Sequence, residues 1–137
     1  MTSAHPGPPS YDEVDPFDLP DWLGVKQVTW AAVTALRRGH RVEGSLTAEG
    51  QDPLGCDLMA VDEAYPVPVA ADALRVRVHQ LWRHGEVLLL SDRGRILLAL
   101  PGTRVDAECA LEAVGRLAHA VGATGSYGVR LRVGTDR

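Results

Sequence analysis

Apolar and polar residues follow no sustained period until Val28, and from there the period is two. The stretch VTWAAVTAL is rich in β-branched and aromatic residues. HRVEGSLTAE then sets Val42, Gly44, Leu46 and Ala48 against Arg41, Glu43, Ser45, Thr47 and Glu49, which predicts a half-buried strand with one wet face. RRGH between them, with Gly39, predicts a tight turn and hence an antiparallel hairpin. A third strand is expected over CDLMAVDEAY, stopping before Pro66 and Pro68.

The period then lengthens. With Asp72 as the cap, Leu74, Val78, Leu81 and Trp82 form one helical stripe. Arg83, His84 and Gly85 are what a helix end favours: cationic side chains near the last carbonyls and a glycine free to turn left-handed. EVLLLSDRGRILLAL reads as two continuous apolar strands joined at Ser91-Asp92-Arg93-Gly94, lacking alternation because both faces are covered. A second helix starts at Asp106 and carries Ala110, Leu111, Val114, Leu117, Ala118 and Val121 on one side. Glu112 and Arg116 pair on the other side, and Gly122 ends it.

These elements predict an α+β protein: a single antiparallel sheet of about five strands with two helices, in the order β-β-β-α-β-β-α. Three regions are expected: residues 1–24 as a disordered tail and acidic, proline-rich arm, residues 25–123 as the domain, and residues 124–137 as a tail or short edge strand. The arm is acidic (Asp12, Glu13, Asp15, Asp18, Asp21), yet it carries Phe17, Leu19, Trp22 and Leu23, more bulky apolar surface than a solvated tail holds. Those four residues dock on the chain's own domain or form a motif for a partner.

Composition narrows the function classes. The chain has 137 residues and a net charge of −4, room for one core without staples and no field to hold a polyanion, so nucleic acid is an unlikely partner. One lysine, Lys26, stands against thirteen arginines, a usage expected of a GC-rich bacterial coding bias. The apolar runs fall short of the ~18 residues of a membrane span, and the N-terminus lacks a secretory pattern, so a cytoplasmic protein is expected. Cys56 and Cys109 lack C-x-x-C spacing and are expected as free thiols.

The densest candidate chemistry is HQLWRHG, residues 79–85. On a helix His79 and His84 differ by about 140°, so they do not share one metal ion. With Trp82 on the stripe and His84 in the terminus, His79 alone lacks a structural reason. Neither a nucleophile motif nor a phosphate loop is present: Gly122, Gly125 and Gly128 follow a helix and precede none. Asp57 and Glu63, which alternate onto one strand face, are expected at a solvated strand end. No cofactor, metal or catalytic residue is therefore assigned.

The order of three strands, helix, two strands and helix over residues 26–122 resembles type III secretion chaperones and their YbjN-like relatives. That resemblance implies dimerisation and the binding of extended peptides; the proline-broken arm stands where that family has its first helix. A non-enzymatic protein-interaction module is the leading expectation, with a protein or extended peptide as partner and a possible homodimer. Its candidate contacts are Phe17, Leu19, Trp22, Leu23, Arg75, Arg77 and His79, and the acidic arm is expected to lie across the basic helix. The competing expectation is a small-molecule pocket between sheet and helices lined by Trp30, His79 and Trp82. Binding of nucleic acid through the arginines of the first helix ranks below both.

Overall fold

The computed structural model describes residues 11–25, 27–33, 41–64, 67–68, 72–122 and 129–132, with backbone only at 63–64, 67–68 and 129–132. The expected turn at 37–40, His40 and the glycines at 125 and 128 lie outside the described residues.

The strands are β1 (Asp12–Glu13), β2 (Val28–Ala32), β3 (Arg41–Val42), β4 (Gly44–Thr47), β5 (Leu54–Ala60), β6 (Glu63–Ala64), β7 (Val67–Pro68), β8 (Leu88–Asp92), β9 (Arg95–Leu100) and β10 (Val129–Arg132). The helices are α1 (Trp22–Val25), α2 (Asp72–Arg83) and α3 (Ala107–Ala120). Seven strands run in the order β1-β8-β9-β5-β4-β2-β10, β3 also pairs β5, and β6 and β7 form a separate hairpin.

This overturns the expectation of one antiparallel sheet of about five strands with two helices, and the chaperone-like architecture that rested on it. The sheet is mixed: β5 runs parallel to β9 and β2 parallel to β10. The cause is the route of the chain. After β5 it crosses over α2 to β8 and returns as β9 into the place between β8 and β5, so β9 is antiparallel to one neighbour and parallel to the other. A crossover through α3 similarly adds β10 beside β2. Apolar periodicity says which faces are buried, whereas the direction of non-adjacent strands depends on these crossovers. The third helix, α1, ends the arm.

Alternation places the core on both faces. Cys56, Leu58, Ala60, Ile96, Leu98 and Leu100 meet Ala110, Ala113, Val114 and Leu117 of α3 on one side, with Leu23 of α1. Met59, Val61, Leu88, Leu90, Leu97 and Ala99 meet Val78 of α2 on the other. The expected stripe of the first helix is divided: Leu74 and Leu81 pack with the α2-side cluster, Trp82 with the α3-side cluster. α3 starts where Asp106 accepts the Cys109 N–H at 2.8 Å and stops at Gly122, whose φ is +106°. α1 reaches the end of α3 because Gly24 has no side chain; a Cβ there would lie 2.6 Å from the Val121 carbonyl oxygen.

Candidate functional site

The arm is ordered by the domain. Residues 12 and 13 add an antiparallel edge strand to β8, Asp12 opposite Ser91 and Glu13 opposite Leu90, and the Val14 N–H donates to the Leu89 carbonyl at 2.9 Å. Tyr11 packs on the α2-side cluster and Val14 on the α3-side cluster, so the segment straddles the sheet edge as an extended peptide does. The Glu13 carboxylate receives Nε and Nη2 of Arg77 at 3.3 and 3.2 Å. That pair raises the Arg77 pKa, first through the hydrogen bond and then through the charge. A cleft of about 200 Å³ runs beside the arm, lined by Val14, Pro16, Leu81, Leu89, Arg116 and His119 among others.

Past Val14 the prolines shape the arm. Asp15 accepts the Phe17 N–H at 2.9 Å and caps a single 3-10 turn at Pro16–Asp18, with Pro16 in the first turn, where a missing N–H costs nothing. This turn leaves Phe17 89% exposed. Leu19 and Trp22 pack against the core and Leu23 is buried in it. The four apolar arm residues thus divide: three face the domain and Phe17 faces solvent.

The outer face of α2 carries Arg75, His79 and Arg83 at i, i+4 and i+8, one side of a helix. Together with Val76, Gln80, Asp62 and Asp72 they line an open groove of about 650 Å³. His79 Nε2 lies 2.8 and 2.9 Å from the two Asp62 oxygens, which supplies the structural reason missing from the sequence. Asp62 also accepts the Gly102 N–H at 2.6 Å. Burial opposes its charge, but His79 and Gly102 outweigh burial and hold its pKa below the usual carboxylate value. Arg75 pairs with Asp72, while its buried Nε has no acceptor among the described residues. Val76 is 56% exposed on this face.

The expected pocket of Trp30, His79 and Trp82 does not converge. Trp30 is fully buried on the α3 side, donating its Nε1–H to the Cys56 carbonyl at 2.9 Å. His79 is on the outer face of α2, and Trp82 lies beneath Arg116, whose guanidinium is 3.6 Å from the ring centroid.

A third polar cluster escaped notice in the sequence. β3 and β4 pair β5 in one register, Arg41 opposite Met59 and Ser45 opposite Gly55, and the ladder is interrupted between them. Asp57 fills the gap. Its carboxylate accepts the Gly44 N–H at 3.3 Å, Arg41 Nη2 at 2.8 Å and Arg95 Nη2 at 2.7 Å, and the same Arg95 nitrogen donates to the Gly44 carbonyl at 2.6 Å. Asp57 is therefore buried in a sheet network, not solvated at a strand end, and Glu63 belongs to the separate β6–β7 hairpin. Burial disfavours its charge, yet Arg95, Arg41 and Gly44 together lower its pKa. With its lone pairs engaged by fixed donors, this carboxylate braces strands.

The thiols offer little nucleophilic character. Cys56 is buried and free, and burial first, then Asp57, push its pKa up. Burial also raises Cys109. Among the described residues no group of three or more His, Cys, Asp or Glu is placed to hold a metal ion, and no helix is long and apolar enough to cross a membrane.

Compared with protein-family models, curated proteins and solved structures, the chain matches none.

Proposed function

We propose that this chain is a non-enzymatic protein-interaction module that holds an extended, acidic segment along the β8 edge. One observation carries the reading: the chain's own arm lies there as such a segment, joined by backbone pairing at residues 12–14 and by the Glu13–Arg77 ion pair. Backbone pairing recognises any extended chain, and Arg77 with the adjoining cleft selects an acid followed by apolar residues. The arm occupies the edge by a short ladder, so a partner of the same chemistry competes with it at high local concentration.

The test uses a labelled peptide of residues 11–16 and the full chain. Val14→Pro removes the N–H that donates to Leu89, and Glu13→Ala removes the ion pair, so the double variant vacates the edge. Fluorescence anisotropy is expected to show the peptide binding the double variant at least ~10-fold more tightly than the wild type, and Arg77→Glu to abolish the gain. Equal binding to all three proteins would refute the reading.

A further inference from the structure

We propose that the β8 edge selects a partner segment of the pattern aromatic, any residue, acid, bulky apolar residue, and that such a partner displaces the arm by filling a cleft that Val14 leaves open. The inference rests on the β8-edge reading and adds which side chains are read and why a partner outcompetes the arm.

The arm shows the register. Glu13 stands opposite Leu90, which belongs to the α2-side cluster. Two residues earlier Tyr11 packs on that same cluster, and Glu13 itself reaches Arg77 of α2. Strand alternation turns the next residue to the other face, where Val14 meets the α3-side cluster. Asp12, between Tyr11 and Glu13, is exposed. An extended chain paired antiparallel to β8 is thus read at three positions: an aromatic ring and a carboxylate on the α2 side, and an apolar side chain on the α3 side.

The third position is underfilled. The cleft of about 200 Å³ lies against Val14 and Pro16 of the arm and against Leu81, Val87 and Leu89 of the domain. Val14 and Leu81 stay only half-buried beside it. Both arginines at the cleft are already paired, Arg77 with Glu13 and Arg116 with Glu112, while Glu86 and His119 are open to solvent. What the cleft lacks is therefore apolar volume and not charge. Leucine or phenylalanine at the position of Val14 takes more apolar surface out of water against that wall.

This underfilling drives the displacement. A tethered arm competes at an effective concentration that a free segment with identical contacts does not match. A segment with the same backbone pairing and the same acid, but a larger residue at the position of Val14, makes a contact that the arm lacks. The arm then serves as a cover for the edge when no partner is bound.

Fluorescence anisotropy with labelled peptides of residues 11–16 is the test, on the wild-type chain and on the full chain with Glu13→Ala and Val14→Pro, whose edge is vacated. On the vacated edge the peptide carrying Val14→Leu is expected to bind ~3-fold, and that carrying Val14→Phe at least ~10-fold, more tightly than the parent peptide. Tyr11→Ala in the peptide is expected to weaken binding at least ~5-fold. Asp12→Phe adds the same ring at a position that does not line the cleft and is expected to leave affinity within ~2-fold of the parent. In the full chain, Val14→Leu lets the arm fill its own cleft and is expected to raise the melting temperature by about 2–4 °C. A parent peptide that fails to bind the vacated edge refutes the edge reading and this inference with it. Parent binding that Val14→Phe does not tighten, or that Asp12→Phe tightens equally, overturns this inference alone.

Discussion

The indole of Trp30 packs against Gly44, on the neighbouring strand β4, so closely that a Cβ on Gly44 would come within 2.4 Å of the ring. This contact joins two features of the sheet. Gly44 sits in the ladder gap that Asp57 and Arg95 fill, and the ring bonds across to Cys56 at the same level. The glycine is needed here for space and not for its backbone angle.

Gly44→Ala therefore forces the buried indole to move or the strands to part. The expected loss is about 3 kcal/mol, the upper part of the range for overpacking a core. Urea unfolding followed by tryptophan fluorescence measures it. Gly50→Ala makes a useful contrast: its φ is +78° and the space around it is open, so it costs backbone strain of about 1 kcal/mol without disturbing Trp30.

Asp57 predicts a pH dependence. Its pKa is lower in the folded chain than in the unfolded one, so the unfolded chain takes up the proton first as pH falls. The stability it contributes is complete above about pH 4, the ordinary aspartate value, and is lost as pH drops through the lower folded value. Asp62 and Asp106 shift in the same direction. Asp57→Asn is expected to cost about 2–3 kcal/mol at neutral pH, toward the low side for breaking a buried pair, because both arginines are partly solvated. Its melting temperature should then fall less than that of the wild type between pH 5 and 2, as calorimetry would show.

Arg116 predicts a linkage between the two long helices. It covers the Trp82 ring, donates to the Trp82 and Glu86 carbonyls at 2.7 and 3.0 Å, and pairs with Glu112. Arg116→Ala should cost about 2 kcal/mol and expose Trp82, seen as a red shift in its emission. Arg116→Lys should recover little, since a single ammonium cannot both stack on the indole and reach two carbonyls.

Much of this was legible in the residue pattern because it depends on neighbours in the chain. The cap and stop of α3, the Ser91–Gly94 hairpin with Gly94 at φ +78° and the Glu112–Arg116 pair all arise within a few residues of each other. The functional side chains were legible only in part. His79 stood out as a histidine without a role, and its partner Asp62, 17 residues away, becomes a neighbour only because the end of β5 is held beside Gly102. The signal for Asp57 was weaker: an acid between Cys56 and Leu58 in an otherwise apolar strand, whose partners Arg41 and Arg95 come from two other strands.

By itself, then, the sequence determined which segments bury a face, where the two long helices lie, and that an acidic arm carries apolar residues. Each of these follows from period, capping or turn chemistry acting over a few residues. Only the tertiary structure decided that β9 enters the sheet between β8 and β5, that the arm closes the β8 edge, and that Phe17 is left outside. These outcomes depend on long-range pairing, where many arrangements bury similar apolar area and the chain's crossovers and buried ion pairs select among them.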